Sequence, residues 1–479
     1  MKLYNTLTRK KEKLKTIEDD LLKIYVCGVT IYDDVHLGHA LSYTYYDILI
    51  NYLKHFLGYE ILYVRNITDV GHLTNDEGTG EDKIEKRAKE RKMHPAELVY
   101  KYSQRMWKYF DKLLLTRPNI EPYASAHIIE MQDWIKKMIT NGFAYEINGN
   151  VYYDIKKFKD YYKFSNRKPE DLEQNTRFKN DTNKRNPQDF ALWIKASPEH
   201  IMQWTSPWGK GYPGWHLECS VMSTKYLGEH FDIHGGGIEH LFPHHTNEIA
   251  QNYGYYQHKV VNYWVHTSML NINGKKMGKS LGNFITVEDF LKEHSAQDFR
   301  LLISLGHYRK PQNYTTTSID DSKKTVKKLN QFILRLQHVP HNIKNSKLAD
   351  EIIENTKENF KKAMDDDLNT PQAWSSIFFL VKEINKLLDK DKISQNEGEI
   401  ILSFLSKVNK VFKVFNFKNN TEHTKNTKIK KEEIEKLITE RNKYREEKNY
   451  EKSDLIRLNL KNKGIILSDE GSKTTWYWE

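Results

Sequence analysis

Cysteine is scarce in this chain, and long apolar stretches are missing from it. Cys27 and Cys219 are the only two cysteines among 479 residues. A disulfide framework uses more than two, so the sequence predicts a reducing compartment. No run of 18 or more apolar residues occurs, which argues against a membrane-spanning helix. The first residues also lack the apolar stretch of a secretory signal, and we therefore expect a cytoplasmic protein with no membrane contact.

Acidic residues are outnumbered by basic ones. The chain carries 75 Lys and Arg against 64 Asp and Glu, a formal net charge of +11. Such an excess favours a polyanionic partner such as RNA. A lysine-rich proteome would produce the same excess, so the composition alone leaves both interpretations open.

The N-terminal part of the chain reads as a strand, a helix and a second strand. Lys23–Gly28 and Glu60–Val64 are short apolar runs, and each predicts a buried strand. Residues 40–57 between them have helical periodicity. A strand–helix–strand unit of about 40 residues predicts a parallel sheet covered by helices. Because strand-like runs return at 231–233 and 263–265, we predict an α/β fold for this part of the chain.

The remaining sequence divides into segments of different character. Residues 71–82 are glycine-rich and acidic, which predicts an exposed loop. From about residue 315 the pattern is helical, and Thr370 followed by Pro371 predicts a helix that begins with Thr370 as its N-cap. The predicted organisation is a sheet domain over 1–314 with an insertion over about 113–204 and a loop region over about 260–314, an all-α helical bundle over 315–417, a linker over 418–428 and a small basic module over 429–479.

The string His36-Leu37-Gly38-His39 lies between the first predicted strand and the first predicted helix. A helix N-terminus offers free backbone N–H groups and the positive end of a dipole, which suits phosphate. Gly38 lets a nucleotide approach the backbone closely. His36 and His39 can donate hydrogen bonds to phosphate oxygens as charge moves in a transition state. Two solvent-exposed turn histidines are the structural alternative for this motif.

A second string, Lys276-Met277-Gly278-Lys279-Ser280, follows the turn signal Asn273-Gly274. Two lysines on a glycine-containing loop can close over a triphosphate and stabilise the charge on departing pyrophosphate. Lysine-rich loops are common, so this string alone is weak evidence. In combination with the first motif on one sheet domain, it indicates a nucleotide-binding site.

The two strings resemble the HIGH and KMSKS signatures of class I aminoacyl-tRNA synthetases. Further strings narrow the resemblance to the cysteinyl-tRNA synthetase family, and it extends over nearly the whole chain. These strings are Cys27–Asp33, Gly214–Ser220, Asp232–Gly237 with Phe242–His245, Asp365–Pro371 and Thr474–Trp476. Gly278 departs from the serine usual in the second signature, and the stretch 71–81 lengthens a region that is often compact in the family.

The resemblance implies a Rossmann-like catalytic domain with an insertion, followed by an all-α bundle and a C-terminal anticodon-binding module. It implies ATP-dependent activation of L-cysteine, with Mg²⁺, and transfer of the cysteine to tRNA(Cys) by a monomer. The residues assigned to ATP binding and catalysis on this basis are His36, Gly38, His39, Lys276, Lys279 and Glu239.

A metal site follows from the same resemblance together with ligand chemistry. The family uses two cysteines, a histidine and a glutamate at positions that match Cys27, Cys219, His244 and Glu248. His244 and Glu248 have i,i+4 spacing, which places them on one face of a helix. Thiolate, imidazole and carboxylate are ordinary zinc ligands. We therefore expect one Zn²⁺ per chain, with His245 as a neighbouring group that either packs or supports the ligands.

The resemblance also assigns residues to the two substrates. Thr68, Trp215 and His234 match residues that line the cysteine pocket, although buried packing is the common role of such side chains. The C-terminal residues predicted to contact tRNA are Arg441, Arg445, Arg457 and Trp476. For the tryptophan, stacking on unpaired bases competes with simple packing against the last helix.

Two other functions remain open at this level. A ligase that joins cysteine to an amino sugar would share the sheet domain, the metal site and both signatures, but such enzymes lack the C-terminal module. A non-catalytic, synthetase-like RNA-binding protein would not need His36, His39, Lys276 and Lys279, all of which are present.

Overall fold

The structure is a computed structural model that describes residues 1–75, 79–167, 184–278, 281–340, 343, 347–417, 431–463, 465–470 and 473–478. The chain forms two compact units, Met1–Phe415 and Asn416–Glu479. Lys279 of the second signature and the linker predicted at 418–428 lie outside the described residues. Within the described residues, no helix is both long enough and apolar enough to cross a membrane.

The predicted strand–helix–strand unit is confirmed. A hairpin of β1 (Lys2–Asn5) and β2 (Lys10–Lys13) precedes it, and the unit itself consists of β3 (Leu21–Thr30), α1 (Leu37–His55) and β4 (Glu60–Thr68). β3 and β4 pair in parallel, so the parallel sheet was correctly predicted. Both strands run beyond their predicted ends.

Helix α1 begins three residues earlier than predicted because His36 caps it. Its Nδ1 atom accepts hydrogen bonds from the backbone N–H groups of Gly38 and His39, at 3.1 and 3.4 Å. His39 Nδ1 in turn accepts from the backbone N–H of His36, at 3.3 Å. This reciprocal arrangement is a capping box, which satisfies N–H groups that a helix start otherwise leaves unpaired. The first signature is thus itself the helix start.

The prediction of an exposed loop at 71–82 was wrong. The segment forms a hairpin of β5 (Leu73–Asn75) and β6 (Thr79–Asp82), followed by α2 (Lys83–Arg91) and α3 (Pro95–Lys112). Gly71 and Asp82, at the two ends of the hairpin, are buried. The Asp82 carboxylate accepts from the N–H of Gly71 at 2.9 Å and from that of Ile84 at 2.8 Å. Asp82 therefore closes the hairpin and caps α2 at once, a role that acidic composition does not reveal.

A helix and a separate antiparallel sheet occupy the insertion predicted over about 113–204 and continue beyond it, since the last two strands end at Ser206 and Pro213. These elements are α4 (Ile128–Thr140), β7 (Ala144–Ile147), β8 (Asn150–Tyr153), β9 (Phe190–Lys195), β10 (Trp204–Ser206) and β11 (Gly209–Pro213). The strand order is β10-β11-β9-β8-β7, and every pairing is antiparallel. Buried aromatic side chains, including Trp193 and Tyr153, pack this sheet against the core of the first unit.

The chain then completes the central parallel sheet. The elements are α5 (Trp215–Leu227), β12 (Phe231–Gly237), α6 (His244–Tyr256) and β13 (Val261–Thr267). The sheet order is β13-β12-β3-β4, with all three pairings parallel. Every residue of β12 is buried, as is usual for a strand inside a parallel sheet. The predicted α/β, Rossmann-like fold is confirmed, and ligands bind in such folds at the carboxyl ends of the strands.

The rest of the first unit is mainly helical, as predicted from residue 315. Its elements are β14 (Leu270–Ile272), β15 (Lys275–Lys276), α7 (Val287–Glu293), α8 (Ala296–Ser304), β16 (Gln312–Tyr314), α9 (Thr316–Gln337), α10 (Leu348–Asp365), α11 (Thr370–Leu388) and α12 (Gln395–Phe412). The N-cap of α11 is Asn369 rather than Thr370, because the Asn369 side chain accepts from the N–H of Gln372. Thr370 instead donates to the carbonyl of Gly306, at 2.8 Å.

A buried ion cluster ties this helical part to α1. Arg300 on α8 is fully buried and donates to Asp47 Oδ2 at 2.5 Å and to the carbonyl of Phe412 at 2.6 Å. Lys413 donates to the other oxygen of Asp47 at 2.9 Å. Burial opposes ionisation of Asp47, but the two cations lower its pKa overall. The helix that carries the first signature is therefore anchored to the end of α12 by charge.

The second unit is a small α+β module. It contains α13 (Lys431–Glu446), α14 (Tyr450–Asn462) and an antiparallel pair, β17 (Ile465–Glu470) and β18 (Lys473–Trp478). Its core consists of Ile434, Ile438, Leu460, Ile465 and Leu467. The helical character predicted for this module is thus only part of its structure.

Candidate active site

A cavity of about 450 Å³ opens at the carboxyl ends of the parallel strands. It is lined by the end of β3, the start of α1, the end of β4, the start of α5 and the loops after β12 and β13. This is the edge at which α/β folds place their ligands.

The two signatures meet at this cavity. His36, Gly38 and His39 line one side, and Lys276 and Gly278 line another. The rings of His36 and His39 stack with centroids 3.7 Å apart. A side chain at position 38 would come within 3.0 Å of the His36 ring and 3.2 Å of the methyl group of Met277, so the tight space there favours glycine.

The second signature loop is held by Asn283. Its side-chain oxygen accepts from the N–H of Gly278 at 2.9 Å, and its amide donates to the carbonyl of Lys276 at 3.1 Å. These two bonds keep Lys276 at the cavity edge, where its exposed ammonium can reach a phosphate chain.

The four predicted metal ligands come together at the base of the cavity. Cys27 Sγ lies 3.8 Å from Cys219 Sγ and 3.7 Å from Glu248 Oε1. His244 Nε2 is 3.1 Å from the same carboxylate oxygen. All four side chains are buried, and one ligand atom from each lies within 4.8 Å of the others. Among the described residues, Glu248 Oε2 makes no hydrogen bond, although His234 Nε2 lies 3.2 Å from it, and a buried carboxylate oxygen in this state favours a cation as its partner. The donor set therefore fits a metal ion.

The protonation of the cluster supports this fit. Burial raises the pKa of Cys27 and of Glu248 well above their ordinary values, and it raises that of Cys219 to about 12. Burial also lowers the pKa of His244 well below its usual value. Without a cation the four groups would be uncharged, whereas a bound metal favours their deprotonated forms.

A second set of donors shares Cys27 and Glu248. His234 and His245 are fully buried, with their Nε2 atoms 3.5 and 3.2 Å from Cys27 Sγ. His245 is held from behind by His266, Nδ1 to Nε2 at 2.8 Å. Among the described residues, Cys27, Cys219 and His244 line the cavity, whereas His234 and His245 lie behind them. An ion held on the His244 side is therefore the one that a substrate can reach.

The residues predicted for the cysteine pocket occupy different depths. Trp215 lines the cavity, and its ring centroid lies 4.4 Å from that of His244. Thr68 also lines it and donates a short hydrogen bond to Glu218. His234 is set deeper and stacks on Trp264 with centroids 4.3 Å apart. Glu239 is exposed at the cavity edge, just after β12.

Three cavity residues were missed by sequence reasoning. Glu218 is buried beside Thr68, and burial raises its pKa well above the usual value. It lies within the string that carries Trp215 and Cys219, so its position was the available signal. His72 lies in the segment predicted as an exposed loop, Lys83 directly follows that segment, and no local pattern pointed to either residue.

In the second unit, the four residues predicted to contact tRNA are placed differently. Arg441 is only 2% exposed and donates two bonds to Asp469, at 2.8 and 2.6 Å. It therefore holds this module together. Arg445 and Arg457 have side chains 39% and 51% exposed, beside the same carboxylate. Trp476 is partly buried against the small core.

The fold and both signatures define a class I tRNA synthetase. The sequence profile of the class I (C) tRNA synthetase catalytic domain matches residues 13–324, and that of the DALR domain matches residues 359–416. Among solved structures, a Mycobacterium tuberculosis methionyl-tRNA synthetase in complex with methionyl-adenylate is similar, with a TM-score of 0.58 at 12% identity, covering 82% of this chain and 89% of that one. A Campylobacter jejuni putative arginyl-tRNA synthetase has a TM-score of 0.52 at 12% identity, covering 84% and 92%. At that identity both likenesses concern the fold.

The chain belongs to the cysteine–tRNA ligase family. The cysteine–tRNA ligase of Chlorobaculum tepidum is 39% identical over 482 residues, covering 99% of this chain and 98% of that protein. That of Treponema denticola is 42% identical over 496 residues, covering 99% of both. The match therefore includes the C-terminal module as well as the catalytic domain.

Proposed function

We propose that this protein activates L-cysteine with ATP and transfers it to the 3′ end of tRNA(Cys), as a cytoplasmic monomer. The observation that carries the proposal is one cavity lined both by the two signatures and by Cys27, Cys219 and His244, with Glu248 buried directly against these three side chains. The residues proposed to bind ATP and those proposed to bind the substrate thiol thus belong to one site.

The first step joins the amino acid to ATP. A carboxylate oxygen of cysteine attacks the α-phosphorus, and the bond from that phosphorus to pyrophosphate breaks. We assign phosphate contacts to His36, His39 and Lys276, which line the cavity. Lys279 of the same signature is proposed as a further cation, and ATP would enter as its Mg²⁺ complex. Glu239, at the rim, is placed to accept from the ribose. In the second step a ribose hydroxyl of the tRNA attacks the acyl carbon, and AMP leaves.

Cys27, Cys219, His244 and Glu248 would hold a zinc ion at the base of the cavity. Bound zinc would supply a Lewis-acidic position that favours a substrate thiolate over the hydroxyl of serine. Trp215 and Thr68 then close the pocket around the small side chain. Selection by thiolate binding explains discrimination against serine without a separate editing site.

The C-terminal module is proposed to bind the anticodon. Arg445 and Arg457 offer exposed cations on neighbouring helices, and Trp476 on β18 offers an aromatic side chain in the same module. Family membership over the full chain, including this module, favours tRNA over an amino sugar as the acceptor.

The deciding experiment is cysteine-dependent exchange of labelled pyrophosphate into ATP, with serine as the control amino acid. Charging is then measured with tRNA(Cys) and with an amino sugar as competing acceptors. We expect exchange with cysteine alone and transfer to tRNA alone. Absence of cysteine-dependent exchange would refute the activation step, and transfer to the amino sugar would refute the acceptor.

A further inference from the structure

The hairpin between β4 and α2 delivers two polar side chains to the active cavity. His72 precedes β5 and Lys83 begins α2, and both line the cavity. The second signature and the first lie elsewhere on the cavity wall, so the hairpin adds functional groups that neither signature contains.

Hydrogen bonds connect Lys83 to His72 and His72 to Thr30, and they are consistent with one protonation pattern. Lys83 Nζ lies 2.5 Å from His72 Nε2, and His72 Nδ1 lies 2.6 Å from Thr30 Oγ1. A lysine ammonium has donors only, so Nε2 must accept from it. His72 is then the neutral tautomer that carries its proton on Nδ1 and donates it to Thr30. The imidazole holds the ammonium in place without competing with it for an anion.

Trp215 connects this pair to the metal-binding cluster. Its ring stacks on that of His72 with centroids 3.8 Å apart and planes only 8° from parallel. Lys83 Nζ lies 5.9 Å from the centre of the same indole, and the His244 ring lies 4.4 Å from it. A continuous wall thus runs from the proposed thiol-binding end of the cavity to an ammonium.

The backbone of the hairpin is set tightly enough to hold this geometry. Gly71 has φ = +79°, and a Cβ there would lie 2.4 Å from the carbonyl oxygen of Pro213, two residues before Trp215. The Asp82 carboxylate binds the N–H groups of Gly71 and Ile84. Gly71 is therefore packed against the segment that leads into Trp215, Asp82 ties the other end of the hairpin to Gly71, and the pair is preorganised.

We propose that Lys83 is an oxyanion-binding residue of this cavity and that His72 positions it. Its ligand is an oxygen at the reacting centre, either the carboxylate of the amino acid or the α-phosphate that this carboxylate attacks. The inference rests on the proposed function. As the bond from oxygen to phosphorus forms and the bond to pyrophosphate breaks, negative charge shifts among these oxygens and no proton moves. An ammonium held beside them stabilises that redistribution.

The test compares Lys83→Gln and Lys83→Arg with Lys86→Gln, which removes an exposed lysine from the same helix. Pyrophosphate exchange is measured with cysteine and ATP varied separately. We expect Lys83→Gln to lower kcat/KM by roughly 10²–10³-fold, the scale of one lost oxyanion contact. Lys83→Arg should recover part of the loss, and Lys86→Gln should match wild type. A rise in KM for cysteine alone identifies the carboxylate as ligand, and a rise in KM for ATP or a fall in kcat alone identifies the phosphate.

His72→Phe tests the positioning role, because it keeps a ring against Trp215 and removes the bond to Lys83. We expect a smaller loss of kcat/KM than in Lys83→Gln, and little further loss when the two substitutions are combined. Far-ultraviolet circular dichroism and thermal unfolding establish that the variants are folded. Exchange by folded Lys83→Gln within threefold of Lys86→Gln would overturn the inference. Failure of wild type to exchange would instead refute the proposed function.

Discussion

The Nδ1 atoms of His216 and His244 lie 2.9 Å apart, so that one imidazole donates to the other. His244 is thereby held with its Nε2 atom 3.1 Å from Glu248 Oε1, facing the two thiols. Histidines that bind metals commonly use their second nitrogen in this way, which fixes the tautomer and the ring orientation.

Replacing His216 with phenylalanine should weaken metal binding although no proposed ligand is changed. The ring is kept and only the bond to His244 is lost, so we expect metal affinity to fall by roughly 10–100-fold. Competition with a chromophoric chelator measures the affinity. His338→Gln, at an exposed histidine that ends α9, is the matched control. Equal affinities in the two variants would show that His216 does not orient a ligand.

Cys219→Ser should lose metal and cysteine binding together while ATP binding persists. Cys219 is one of the four proposed ligands, whereas the signatures border a different part of the cavity. Wild type should contain about one zinc per chain, as expected for a four-ligand site. With cobalt in place of zinc, the thiolate-to-metal absorption band should change on addition of cysteine and not of serine. A metal-free protein, or a cobalt spectrum indifferent to cysteine, would refute selection by the metal.

Lys276→Ala should slow adenylate formation without changing the affinity for cysteine. The lysine lies at the cavity edge, and loss of one donor to the migrating phosphate charge costs about 2–4 kcal/mol of transition-state stabilisation. We expect the same result for Lys279→Ala, three residues further along the same signature. The neighbouring Lys275→Ala is the control in pyrophosphate exchange, because Lys275 is exposed and outside the cavity lining. Normal exchange in Lys276→Ala would remove that lysine from the mechanism.

A chain that ends at Phe415 should activate cysteine and fail to charge tRNA efficiently. Both signatures and the metal cluster belong to the unit Met1–Phe415, and the removed part is the unit Asn416–Glu479. Exchange activity should stay close to that of the full chain, whereas kcat/KM for tRNA should fall sharply. Charging at full efficiency by the shortened chain would exclude the anticodon assignment.

The pair Arg441–Asp469 should make the C-terminal module sensitive to acid. Hydrogen bonds from Arg441 lower the pKa of Asp469 to about 2, from an ordinary value of 3.8. Since the folded-state pKa is the lower one, the stabilisation is complete above about pH 4 and is lost as the pH falls towards 2. Asp469→Asn leaves Arg441 buried without its counter-charge, and we expect a loss of up to roughly 3 kcal/mol.

Hydrogen exchange of the full chain, followed by mass spectrometry over residues 431–478, measures this effect. Protection of the backbone amides of this module against exchange should decline below pH 4 in wild type. In Asp469→Asn it should already be lower at neutral pH. Arg457→Gln is the control, because this half-exposed arginine lies 3.7 Å from the carboxylate. Unchanged protection in Asp469→Asn would mean that the pair contributes little.

Local patterns in the sequence were sufficient for much of the fold. Strands β3 and β4 are apolar runs, and α1 has helical periodicity, so the parallel sheet could be predicted from neighbouring residues alone. The predicted helix starts were wrong where a side chain caps the helix. His36 extends α1, and Asn369 rather than Thr370 is the N-cap of α11. Such caps depend on the rotamer of one side chain, which periodicity does not encode.

The sequence by itself determined which chemical groups the protein owns: two signatures, two cysteines, and a histidine and a glutamate one helical turn apart. Only the tertiary structure decided which of them share a site. It brought Cys27 to within 3.8 Å of Cys219, and placed His244 on the cavity side with His245 behind it. It also buries Arg441, and it folds the segment predicted as a loop into a hairpin that supports His72 and Lys83. These outcomes depend on contacts between distant segments and on exclusion of water, and neither is a property of any short stretch of chain.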